Sequence, residues 1–95
     1  MTNGEKQAIE AIFKSDYNWG SGVEGAEVIG NPVWAFSVAD GIPGSKASRG
    51  GIIGSLSVKG WITFGSYDKA DDTIALTQAG FDAFLAAGGE FPKSE

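Results

Sequence analysis

Five side chains in the middle of the chain, Lys46, Ser48, Arg49, Ser55 and Lys59, have the types and spacing best suited to holding phosphate oxygens. Lysine and arginine neutralise phosphates and serine hydroxyls donate to them, which gives affinity and register on a nucleic-acid backbone but little reading of bases. Between Gly41 and Tyr67 the three cations are the only charged residues, so this stretch carries +3 and the rest −8, within a net charge of −5. The alternative is structural: Lys59 complements the dipole of a helix that ends on it, and Arg49 pairs with an acidic neighbour.

Other candidates are weaker. Asp68, Lys69, Asp71 and Asp72 form a polar cluster of net charge −2. It lacks the alternating aspartates, the glycine and the terminal glutamate of a calcium loop, so it reads as a solvated turn. The segment Gly41 to Lys46 has the glycines of a phosphate loop but not the G-x-x-x-x-G-K-[ST] pattern, and reads as a turn too. Trp19, Trp34, Trp61 and Tyr67 can stack bases, build a partner interface or complete a small core.

Catalysis is not expected. The chain has no His and no Cys, which removes imidazole triads, the commonest zinc ligands, thiolate nucleophiles and disulfides. Asp71 and Asp72 are neighbours on an exposed turn, where water leaves their acidity ordinary. No cofactor and no metal is expected.

The elements that must position the phosphate-binding groups follow from periodicity. Thr2 or Asn3 can cap a first helix, in which Ala8, Ile9, Ile12, Phe13 and Tyr17 recur at helical spacing through about Asn18. Glu5, Lys6, Glu10 and Lys14 fall mostly off that stripe, as a solvated face with a favourable Glu10–Lys14 pair. Glycines at 20, 22, 25 and 30 make Trp19 to Asn31 an irregular connection with no legible role. Asn31-Pro32 looks like the cap and first-turn proline of a short second helix over Val33 to Ala39, although Trp34, Phe36 and Val38 also alternate as in a strand.

Asp40 to Ser45 is a turn, and a third helix runs from about Ala47 to Lys59, stopped by Gly60. Turning Ile52, Ile53 and Leu56 inward leaves Ala47, Gly50, Gly51, Gly54 and Val58 on its outer face, which carries no base-reading side chain. Trp61 to Tyr67 and Thr73 to Leu76 form a hairpin, with Ile62, Phe64, Ile74 and Leu76 on its inner face. Thr77 caps a closing helix with Phe81, Phe84 and Leu85 on its apolar stripe, ended by Gly88 and Gly89.

With 95 residues, 42% of them apolar, the chain suits one small α+β domain over residues 1–89 and a frayed tail over 90–95. No apolar run is long enough for a bilayer, and Met1 to Lys6 is too polar for a signal peptide, so a cytoplasmic protein without membrane contact is expected.

The order helix, helix, helix, hairpin, helix resembles winged helix-turn-helix domains. Gly54-Ser55-Leu56-Ser57-Val58-Lys59-Gly60-Trp61-Ile62 is similar to the end of a recognition helix entering the wing. Leu76-Thr77-Gln78-Ala79-Gly80 resembles the LT-x-x-G that follows the wing in the MarR-like group. Small phage-encoded domains of this type look similar as well. The resemblance implies three helices, a two-stranded wing and a C-terminal helix, in a prokaryotic or phage regulator of transcription. It places the third helix in the major groove of double-stranded DNA, with Lys46, Ser48, Arg49, Ser55 and Lys59 on the backbone. Asp68, Lys69, Asp71 and Asp72 then form the tip of the wing, where their negative charge opposes phosphate contact. The competing expectation is an acidic module that binds a protein, such as a nucleic-acid-binding one, through its acidic surface and aromatics. Groove-reading domains often work as dimers, so a homodimer is compatible with either expectation.

Overall fold

The apolar stripe of the first helix becomes the spine of the core. In the computed structural model, which describes residues 1–65 and 72–90, helix α1 (Asn3–Lys14) buries Ala8, Ile9, Ile12 and Phe13. Thr2 and Glu5 cap it reciprocally: the Thr2 hydroxyl accepts from the Glu5 N–H at 3.1 Å and a Glu5 carboxylate oxygen accepts from the Thr2 N–H at 2.8 Å. The helix is one turn shorter than its periodicity predicts. Ser15 leaves the helical region at ψ 148°, and the buried Asn18 side chain donates to the Ile12 carbonyl at 2.8 Å, satisfying an acceptor at the helix end. Tyr17, assigned to the apolar stripe, therefore lies beyond the helix and is 51% exposed.

The glycine-rich connection has a structural role that its composition conceals. It holds two short 3-10 turns, over Trp19–Ser21 and Gly25–Val28, and Val28 is fully buried in the core. The Gly30 N–H donates to the Leu76 carbonyl at 2.8 Å, which ties the connection to the sheet.

The segment after it is both strand and helix. Val33 and Trp34 form a two-residue strand β1, and helix α2 (Ala35–Asp40) starts only after it. Asn31 is not a helix cap; its side-chain amide donates to the Tyr17 carbonyl and to the Asn18 side chain. Of the alternating Trp34, Phe36 and Val38 only Trp34 is in a strand, and β1 forms because it pairs with a strand from the far end of the chain, which no local pattern reveals.

Helix α3 (Lys46–Val58) is capped by Ser45, whose hydroxyl accepts from the Ser48 N–H at 3.1 Å. Gly60 follows at φ 74°, the left-handed conformation that lets the chain turn back into β2 (Ile62–Gly65). Strand β3 (Thr73–Leu76) pairs antiparallel with β2, Phe64 opposite Ile74, and on its other edge with β1, Val33 opposite Ile74. The sheet is thus three-stranded in the order β1-β3-β2, one strand more than the expected hairpin. Ile62, Ile74 and Leu76 are buried as their alternation predicts, but Phe64, expected on the same inner face, is 39% exposed near the end of the edge strand β2.

Helix α4 (Gln78–Ala86) closes the core, with Phe84 5.6 Å and Phe81 6.1 Å from the Phe13 ring between centroids. Leu85, expected on the same stripe, is exposed. The described residues therefore form a small α+β domain of four α-helices and one three-stranded antiparallel sheet. None of these helices is long and apolar enough to cross a membrane.

The two stretches that carry the family resemblance touch each other. The Thr77 hydroxyl donates to the Gly60 carbonyl at 2.7 Å and accepts from the Gly80 N–H at 3.0 Å, and the Thr77 N–H donates to the Trp61 carbonyl at 3.1 Å. Gly80 is buried against that same carbonyl, so closely that a Cβ would overlap the oxygen and crowd a Leu76 methyl. The Leu-Thr-x-x-Gly pattern is thus a clamp that fastens the start of α4 to the turn leaving α3.

Candidate nucleic-acid interface

The outer face of α3 is smooth and open. Gly50, Gly51 and Gly54 have nothing among the described residues within 4 Å of where a Cβ would stand, so no packing against those residues requires them. Val58, at the far end of the same face, is 89% exposed. Leu56 is buried, and Ile52 and Ile53 are half-buried against the core, as the sequence periodicity predicts. Three glycines weaken an exposed helix by roughly 1 kcal/mol each relative to alanine, a cost the core does not explain.

The five phosphate-binding candidates separate into two groups along α3. Lys46 and Ser48 are exposed in its first turn, beside N–H groups left free at a helix start. Arg49 is half-buried, and its Nε is shielded from solvent without a hydrogen-bond partner among the described residues. Ser55 and Lys59, at the other end, are already engaged. The Ser55 hydroxyl donates to a Glu5 carboxylate oxygen at 2.9 Å, and the Lys59 ammonium donates to the same oxygen at 2.6 Å. Lys59 also sits over the Trp61 ring, 4.8 Å from its centroid. Lys59 stands at the C-cap of α3, as the first structural alternative has it, but is also held by an acid on another helix, and Arg49 forms no salt bridge with a described residue.

Glu5 is the residue that sequence reasoning placed wrongly. Expected on a solvated face, it is 2% exposed and receives the Thr2 N–H on one oxygen and Ser55 and Lys59 on the other. Burial alone would raise its pKa, but the hydrogen bonds from Lys59, the Thr2 backbone, Ser55 and the Thr2 side chain outweigh it and hold the carboxyl at about 2. The Thr2-x-x-Glu5 spacing was a legible sign that this glutamate faces the helix start, whereas its partners fifty residues on were not. The Glu10–Lys14 pair expected on that face does not close to a salt bridge.

Among the described residues the candidate aromatics do not gather on α3. Trp34 is half-buried and lies beside Tyr17 at 6.1 Å, edge to face, and beside Phe36 at 6.2 Å, nearly parallel. Trp61 is half-buried against the core under Lys59, and Trp19 is half-buried with a shielded indole N–H lacking a partner among the described residues. Tyr67, Asp68, Lys69 and Asp71 lie outside the described residues, as do 91–95 of the tail. Asp72 is half-buried, and its carbonyl accepts from the Ala35 N–H at 2.9 Å. Among the described residues no group of three acidic, His or Cys side chains could hold a metal ion.

Compared with known proteins, the chain matches no family, no curated protein and no solved structure.

Proposed function

We propose that this chain is a non-catalytic winged-helix domain of a regulatory kind that docks on double-stranded DNA through α3, mainly by backbone contacts. The observation that carries the reading is the outer face of α3, open along Gly50, Gly51 and Gly54 and flanked at its capped start by exposed Lys46 and Ser48. A helix without side chains on one face can bring its backbone close to another surface, and a cationic first turn suits phosphate. The order of elements supports it as well: α2 and α3 are joined by a short turn, then follow the hairpin β2–β3 and the closing α4. With glycine and alanine where arginine or asparagine would read base edges, sequence preference would be slight.

Mobility shifts at low salt test this. Wild-type chain retards duplex DNA of arbitrary sequence, and Arg49→Ala or Lys46→Ala weakens the retardation uniformly across sequences. Absence of binding to every duplex at low salt ends the proposal.

A second reading, an acidic protein-binding module, draws on the aromatic cluster around β1 and the start of α2. There Phe36 is 66% exposed next to Trp34 and Tyr17, on a chain of net charge −5. In that case a basic partner is captured by the wild-type chain and lost on Phe36→Ala, while Arg49→Ala changes nothing.

A further inference from the structure

We infer that Glu5 occupies, from inside the molecule, the two phosphate-binding groups at the C-terminal end of α3, so that α3 meets its ligand through its N-terminal half alone. The ligand in this statement rests on the DNA reading; the withholding of Lys59 and Ser55 does not.

The geometry is that of a carboxylate standing where a phosphate oxygen would stand. One Glu5 oxygen takes both the Ser55 hydroxyl at 2.9 Å and the Lys59 ammonium at 2.6 Å. The other is held by the Thr2 N–H, which keeps the carboxylate from rotating away. Because Glu5 is 2% exposed, releasing Lys59 to an outside phosphate would strand an unpaired charge in the interior. A phosphate contact at a solvent-exposed surface does not repay that cost. The Lys59 ammonium also lies over the Trp61 ring. Lys46 and Lys59 are both exposed, but Lys46 forms no salt bridge with a described residue, and half-buried Arg49 forms none either. Two of the three cations of the basic stretch are therefore available, both in the first turn of α3.

Two measurements on the full chain decide this. The first is the slope of log binding constant against log salt for a random duplex. Lys46→Ala and Arg49→Ala should each lower it by about 1, and Lys59→Met should leave it unchanged. Since Lys59→Met leaves the buried Glu5 charge without its counter-ion, which destabilises the fold, the Glu5→Gln/Lys59→Met double variant is measured beside it, with the same slope expected. A slope lowered by about 1 in the double variant overturns the inference. The second measurement needs no DNA: acetylation by an N-hydroxysuccinimide ester, followed residue by residue by mass spectrometry. Lys59 should react several-fold more slowly than Lys46 in wild type and approach its rate in Glu5→Gln. Equal rates in wild type overturn the inference. If wild type binds no duplex, the docking reading falls, and the acetylation rates still decide whether Lys59 is withheld.

Discussion

Replacing Glu5 by glutamine should destabilise the chain at neutral pH and scarcely affect it in acid. Glu5 ordinarily titrates near 4.5 and is held at about 2 in the folded chain. Its folded value is depressed, so its stabilisation is fully present above pH 4.5 and is lost as pH falls toward 2. A difference of that size corresponds to about 3 kcal/mol at pH 7, falling to about 1.5 kcal/mol at pH 3 and below about 0.5 kcal/mol at pH 2. Glutamine keeps the shape and can still accept from Thr2 and Ser55, so the variant loses chiefly the charge-assisted bond to Lys59. For a domain of this size, with a total stability of roughly 5–10 kcal/mol, the loss is large enough to move a urea midpoint clearly. The assay is urea unfolding of wild type and Glu5→Gln at pH 7, 3 and 2, followed by tryptophan fluorescence. Taking the difference at each pH cancels the titration of the other carboxylates. A gap between the two proteins that stays constant from pH 7 to pH 2 would refute the reasoning, because it would mean that the ionised form of Glu5 gains nothing from its partners.

Three further substitutions probe the fold and the docking face. Gly80→Ala should cost about 1–3 kcal/mol, because its methyl group would press on the Trp61 carbonyl and Leu76; thermal unfolding would show a fall of roughly 4–8 °C per kcal/mol. Gly51→Ala should raise the melting temperature, by up to about 1 kcal/mol of helix propensity, since its surroundings are open. If α3 docks closely, the same variant binds duplex DNA more weakly, so gain of stability with loss of affinity is the expected signature in a melt and a mobility shift. Ser45→Ala removes the acceptor for the Ser48 N–H and should cost about 1 kcal/mol, measured by urea unfolding.

Local signals carried most of the architecture. The capping residues Thr2 and Thr77, the left-handed Gly60 and the alternation of Ile74 with Leu76 each depend on near neighbours, and the elements stand where those signals put them. What escaped notice depends on residues far apart in the chain. Strand β1 exists because Val33 meets Ile74 across forty residues, and α1 stops early because Asn18 folds back onto Ile12. The candidate site divides in the same way. The amphipathic turn of α3 and its glycine face were legible from spacing alone. That Lys59 and Ser55 are spoken for was not, since the group that holds them sits near the start of the chain on another helix. A free cation and a paired one are the same letter in a sequence.

The most direct test of α3 as the docking element is a titration of the isotopically labelled chain with a short random duplex, followed by amide chemical shifts at low salt. The proposal predicts that the largest changes fall on Ser45, Lys46, Ser48, Arg49, Gly50 and Gly51, with Lys59 and the Tyr17–Trp34–Phe36 cluster little changed. Changes confined to that aromatic cluster, or no changes at all, would contradict it.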